Sequence, residues 1–213
     1  MKVAISIVII LLVFSCSPQR HSSEFILNND VFSQEEMKSI QLIVEYFETN
    51  VGIDESNLNK SYISFIQQTY SMDYDSIPNL FFTKKSLRSF IKSIPKSIRD
   101  EIWKKNKATA YRSYDNTVFT EPINYLAFDI NPFGRYYELL KELSVEDKSI
   151  KYFIDQVRVY GTQNSLMDFR GLIKGNKEYA KVDLESYKWR MIIAIYYITM
   201  IEEVYRFMEL KKN

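Results

Sequence analysis

The chain has 213 residues, with 28 Lys and Arg against 27 Asp and Glu, a net charge of +1 at pH 7. That balance argues against a nucleic-acid partner, which needs a basic face to neutralise phosphates, and against a purely electrostatic grip on anionic lipid. Five Gly and five Pro favour long helices over a turn-rich β-sandwich, and 16 Tyr with 14 Phe point first to an aromatic core and second to a sticky aromatic surface.

The chain opens with Lys2, an apolar run from Val3 to Phe14 broken only by Ser6, then Ser15-Cys16. One positive residue, a short hydrophobic stretch and a small residue before the break have the form of a secretory signal. The run is about a dozen residues, short of the roughly 20 that a helix needs to cross a bilayer. Val13-Phe14-Ser15-Cys16 resembles the lipobox of bacterial lipoproteins. The resemblance implies that residues 1–15 are cleaved and that Cys16 becomes the lipidated first residue, holding the protein to a membrane of the cell envelope. Ser17 stands where an aspartate would mark inner-membrane retention in enterobacterial-type sorting, so the outer membrane is favoured. The alternative is a signal cut elsewhere, with Cys16 in the discarded piece. Cys16 is the only cysteine, so no intrachain disulfide forms. Removing residues 1–15 takes away one lysine and leaves 27 basic residues against 27 acidic ones. Residues 16–30 read as a polar tether, and 31–213, about 180 residues, as a single helical domain.

In chain order, Ser33 and Glu36 form a capping box, Phe32 and Met37 a staple, and Met37, Ile40, Ile43, Val44 and Phe47 line one helical face that Gly52 stops. A second helix is predicted over residues 57–70, with Leu58, Tyr62, Phe65, Ile66 and Thr69 on one side. A loop follows to Phe82, and Thr83 caps a helix striped by Leu87, Phe90, Ile91 and Ile94. Pro95 ends that helix and suits the first turn of another carrying Ile98, Ile102 and Trp103. Residues 111–130 are the least helical, and two readings stand for Val118-Phe119-Thr120 and Tyr125 to Phe128 around Glu121-Pro122: a short hairpin or an ordered long loop. Asn131 as cap and Pro132 in the first turn open a helix faced by Tyr136, Leu139, Leu140 and Leu143. Ser144 caps the next, with Ile150, Phe153, Ile154, Val157 and Tyr160 inward and Gly161 as its end. Between Gly161 and Lys181 a loop encloses a short helix near Leu166 to Ile173.

The last helix is predicted from a cap at Asp183 to a basic end at Lys211-Lys212. Its stripe runs Leu184, Tyr187, Met191, Ala194, Ile198, Ile201, Tyr205 and Met208, and no charge interrupts Met191 to Ile201. A helix apolar almost all round belongs in the middle of a bundle. Glu202 and Glu203 read as its solvated face, with Glu202 and Arg206 as an i,i+4 pair. The expected fold class is therefore mainly all-α: a compact multi-helix bundle around a long C-terminal helix, with one irregular or hairpin segment near residues 111–133.

The chemistry is read by elimination. The one histidine, His21, lies in the tether, so Ser-His-Asp, Cys-His and histidine-based zinc arrangements are excluded. Gly171 to Gly175 lacks the spacing and ending of a phosphate loop. Asp73-Tyr74-Asp75 begins like a calcium loop, but Pro78 and Lys84 occupy the positions of its glycine and glutamate. No metal site and no cofactor are expected. Glu121 and Asp129, between aromatics, are the candidates for a carboxylate pair of glycosidase type, or else a turn residue and a loop brace. Arg158, Arg170 and Lys174 flank a tyrosine- and glycine-containing loop (Tyr160 to Asn164) and are candidates for binding a carboxylate or phosphate, or else are surface cations with packed stems. Three classes remain: a non-enzymatic, membrane-anchored lipoprotein whose helical domain binds a protein partner of assembly or toxin-immunity type; a glycan or small-molecule binding module using Tyr111 to Phe133; and a carboxylate-dependent hydrolase. Elimination favours the first.

Overall fold

The computed structural model describes residues 29–72, 76, 81–112, 118–164, 169–174 and 181–210. Cys16, the signal, most of the tether and Asp73 to Asp75 lie outside the described residues. Among those described, the elements are α1 (Gln34–Val51), α2 (Leu58–Tyr70), α3 (Lys84–Ser93), α4 (Lys96–Ile102), β1 (Trp103–Arg112), β2 (Val118–Ile130), α5 (Arg135–Ser144), α6 (Lys148–Asn164), α7 (Phe169–Lys174) and α8 (Tyr187–Leu210). The fold is thus mainly helical, built on the long C-terminal helix, with one antiparallel hairpin. None of the described helices is long and apolar enough to cross a membrane.

Helix α1 begins where its capping box places it. The Ser33 amide donates to the Glu36 carboxylate at 2.9 Å and the Glu36 amide donates to Ser33 Oγ at 3.3 Å. Arg135, at the start of α5, grips the same carboxylate at 2.7 Å. That hydrogen bond, with the Ser33 amide, holds the Glu36 carboxyl down at about 2. At the other end Gly52 adopts φ 73°, a left-handed conformation that costs a glycine nothing. The predicted stripe of α1 is buried from Met37 to Phe47.

Helix α8 is the centre of the core. It packs against α1, α3, α6 and β2, and its buried positions cover every side from Tyr187 to Tyr205. Several polar groups inside this core are answered, although the buried Tyr136 hydroxyl has no hydrogen-bond partner among the described residues. Arg190 donates from Nε and Nη2 to the two Glu48 oxygens at 2.6 and 2.7 Å, and Tyr62 donates to Glu48 Oε1 at 2.7 Å. Trp103 Nε1 donates to Thr199 Oγ1 at 2.8 Å, tying the first residue of the hairpin to the middle of α8.

Several boundaries differ from the sequence reading. Trp103 opens a strand and does not extend α4, because residues 103–112 find a pairing partner that outweighs local preference. The hairpin is longer than expected: Val118 to Thr120 and Tyr125 to Phe128 belong to one strand, paired back to β1 from Trp103↔Ile130 to Arg112↔Val118. Pro122, lacking an N–H, falls within the register irregularity between the Ala110 and Arg112 pairs. Asn131 does not cap α5. Its Oδ1 accepts from the Phe133 amide at 3.1 Å and its Nδ2 donates to the Asp100 carbonyl at 2.8 Å. Gly134 takes the cap position because a Cβ there would lie 2.1 Å from the Glu101 carbonyl oxygen. The Glu101 carboxylate then accepts the Arg135 amide at 2.7 Å, a cap lent by α4. Asp147, not Ser144, caps α6, accepting from the Ser149 and Ile150 amides at 3.0 and 3.3 Å. Helix α6 also continues past Gly161 to Asn164. Asp183 Oδ1 accepts the Glu185 amide at 3.0 Å in a turn that precedes α8.

Candidate functional site

The residues singled out in the sequence do not come together. Glu121 is exposed on β2, and Asp129 lies on the same strand near its base. At a strand's rise they are roughly 20 Å or more apart, beyond the reach of two carboxylates flanking one glycosidic bond. Asp129 Oδ1 instead accepts the Ile130 amide at 2.8 Å, and its register partner on β1 is Lys104. Arg158 is an exposed cation on α6, 3.5 Å from Asp155 one turn away. Arg170 belongs to the short helix α7, and its side chain lies outside the described residues. The irregular segment these two arginines were expected to flank is the last turn of α6. Cys16 lies outside the described residues.

What the fold does assemble is a cleft of about 550 Å³ where α3, α4, the base of the hairpin and α8 meet. Its apolar surface comes from Ile91, Trp103 and Phe128, the two rings stacked with centroids 5.8 Å apart. Its charge is one-sided. Helix α3 contributes Arg88 and Lys92, α4 contributes Arg99, β1 contributes Lys104 and Lys105, and α8 contributes Arg206, against the acids Asp100 and Glu202 alone. The register explains the placement. Trp103, Lys105 and Phe128 share one face of the hairpin, Lys105 being opposite Phe128. Lys104 falls on the other face by the strand's period of two, with its ammonium 5.2 Å from the Phe133 ring.

The arginines are held in place by carboxylates of α8. Glu202 accepts from Arg88 Nε at 3.0 Å on both oxygens and from Arg206 Nη2 at 2.8 Å. The rest of the Arg88 fork meets Glu209 at 2.9 and 3.1 Å, and Lys84 meets Glu209 at 2.9 Å. Burial opposes the charge on Arg88, but the bonds to Glu209 and Glu202 outweigh it and raise its pKa, while Arg88 in return holds the Glu209 carboxyl at about 2. The Arg206 guanidinium lies over the Phe128 ring at 5.4 Å. Arg99 reaches Asp100 at 3.6 Å and the Lys92 carbonyl at 3.4 Å. Lys92 and Lys105 are exposed and pair with no carboxylate among the described residues.

Glu202 and Glu203 are not a solvated face: each is 1% exposed. The Phe128 amide, on the outer edge of β2, donates to Glu203 Oε2 at 2.5 Å, and the Leu126 carbonyl on the same edge accepts from Arg206 at 3.5 Å. Side chains of α8 thus occupy the edge groups that a third strand would otherwise take. Burial drives the Glu203 carboxyl up to about 7 against the opposing pull of the Phe128 amide, Tyr125 and Arg206. No group of three or more potential ligands for a metal ion occurs among the described residues.

Sequence reasoning missed the cleft because its walls are separated by up to 118 positions, from Arg88 to Arg206. One local signal was present: Arg88, Lys92 and Arg99 recur on the polar side of two consecutive short helices whose other side is apolar. No family model, no curated protein and no solved structure matches the chain.

Proposed function

We propose that the chain is a non-enzymatic binding protein of the cell envelope, anchored through lipid on Cys16, whose helical domain takes an anionic ligand in the cleft between α3, α4, the hairpin and α8. One observation carries the ligand's sign: a cleft with six cations against two acids in a chain whose net charge is only +1. The buried Glu202 carboxylate fixes the two arginines before any ligand arrives, which lowers the ordering cost of binding. The lipobox-type residues Val13 to Cys16 support the anchor. Recognition of a protein partner has weaker support, since the exposed large apolar side chains among the described residues, Leu42, Tyr70, Leu126, Phe133 and Val145, are no more than many monomers show.

The test is titration of the full chain, in maltoside micelles, with anilinonaphthalene sulfonate, an aromatic monoanion. Saturable binding that weakens with salt and is lost in Lys92→Glu/Lys105→Glu is the expected result. Binding that the double variant retains would place the anion elsewhere and remove the basis for this reading.

A further inference from the structure

The cleft's charges can be balanced group by group, and the remainder specifies an occupant. Arg88 and Arg206 bond to Glu202, Arg88 bonds also to Glu209, which Lys84 shares, and Arg99 lies 3.6 Å from Asp100, which Lys96 approaches at 3.2 Å. Lys104 turns to the opposite hairpin face. Two ammonium groups remain, Lys92 from α3 and Lys105 from β1, on two different walls of one cavity and with no carboxylate partner among the described residues. Beside them lie the Trp103 and Phe128 rings and Ile91. Trp103 Nε1 is already engaged by Thr199 and the residue is 3% exposed, so this tryptophan offers a ligand no donor and only a ring edge. The cavity volume is that of a drug-sized molecule, larger than an inorganic ion needs.

From this remainder we infer that the ligand is a phosphate monoester on an apolar or aromatic body: a dianion held by Lys92 and Lys105, with the body in the cavity beside Ile91 and the edges of Trp103 and Phe128. This rests on the anion-binding reading above and deepens it. A phosphate monoester carries close to two charges at neutral pH because its second pKa is about 6. A sulfate ester or carboxylate of the same shape carries one and leaves one lysine unanswered. Lysine, a compact point charge with three rotatable donors, suits a phosphate oxygen without demanding a planar fork. Both a membrane phospholipid with a terminal phosphate and a soluble phosphoester have this chemistry.

The experiment compares phenyl phosphate, phenyl sulfate and inorganic phosphate by calorimetry on the full chain in maltoside micelles, at pH of about 7.5 and about 5. Phenyl phosphate should bind about tenfold tighter than phenyl sulfate at the higher pH, and the preference should vanish at the lower one. Using the sulfate as reference at each pH cancels any change in the protein itself. The charged groups of the cleft are those of Arg88 and Lys92 on α3, Arg99 and Asp100 on α4, Lys104 and Lys105 on β1, and Glu202 and Arg206 on α8, beside Glu209 and the edge carboxyl of Glu203. Inorganic phosphate, lacking the body, should bind more weakly than phenyl phosphate. Lys92→Gln/Lys105→Gln should abolish the preference at an unchanged melting temperature. Vesicles of phosphatidylcholine with and without phosphatidic acid separate the sources: retention on phosphatidic acid assigns the lipid, and binding of phenyl phosphate alone assigns a soluble ester. Equal affinity for the two aryl esters, or a preference surviving in the double variant, would overturn the phosphate assignment while leaving the anion cleft standing. Loss of both the sulfonate dye and every ester would overturn the two together.

Discussion

Helix α8 carries arginine–glutamate chemistry at both of its ends, and the two regions use it differently. Near its start, Arg190 and Glu48 form a sealed pair: both carboxylate oxygens are taken, Tyr62 supplies a further donor, and both charged side chains are under a tenth exposed. Burial works against the charge on Arg190, yet the Glu48 bonds outweigh it and raise its pKa, and burial together with Glu48 pushes the Tyr62 hydroxyl well above its usual range. Near the end of α8, Glu202 holds Arg88 and Arg206 at similar distances, but one side of that network opens into a cavity with two cations to spare. The same pairing thus closes a core in one place and presents charge in another. The difference lies in the remainder after pairing, not in the pairs.

The largest way to break this comparison is at the sealed end. Glu48→Ala leaves a buried guanidinium without its carboxylate and should cost roughly 3–5 kcal/mol, read as a fall in urea midpoint at constant slope. A loss under about 1 kcal/mol would mean that water reaches Arg190 and that the two regions are alike.

Glu203 gives the next effect, and its sign follows from burial. Its folded value of about 7 lies above the ordinary 4.5. The folded state therefore holds more protons between those limits, and the stability this group contributes is full below about 4.5, falls as pH rises to about 7, and is flat beyond. Glu203→Gln keeps an acceptor for the Phe128 amide and removes the charge. It should match wild type near pH 4 and exceed it by up to about 3 kcal/mol near pH 8 in paired denaturation curves. A constant difference across that range would show that Glu203 keeps its ordinary carboxyl behaviour.

At the open end, Lys92→Gln and Lys105→Gln should change stability by less than about 0.5 kcal/mol, since neither ammonium has a carboxylate partner among the described residues. A larger drop in either melting curve would make that lysine structural. The smallest structural effect is expected from Cys16→Ala, which should leave the melting curve unchanged and release the protein from washed membranes. Retention in the membrane fraction would argue against a lipid anchor.

How much of this was legible in the sequence depends on range. The capping box at Ser33 and Glu36, the stop at Gly52 and the inward stripes of α1 and α8 are set by neighbours three or four residues apart, and they stand where periodicity put them. The hairpin's first strand was hidden because Trp103-Lys104-Lys105-Asn106-Lys107 lacks the apolar alternation of a half-buried strand. It is a strand because residues 118–130 pair with it and α8 lies along the partner's edge. Glu202 and Glu203 were misread for a related reason: a helical pattern separates charged from apolar positions but does not say that a sheet edge will meet the charged ones. The cleft needed four elements at once, and no local pattern contains that meeting.

Every helix and strand that packs on α8 precedes it in the chain. The ties that close the molecule are correspondingly distant, with Glu48 and Arg190 142 positions apart and Trp103 and Thr199 96 apart. As the chain emerges from a ribosome or a translocation pore, the inward faces of α1, α3 and α6 are covered only in part, by neighbours such as α5 on α6 and α2 on α1, until α8 arrives. Secondary structure can form early, but the core closes late and all at once. The waiting intermediate exposes the apolar surface a chaperone would hold, and truncation within α8 removes the element against which α1, α3, α6 and β2 pack.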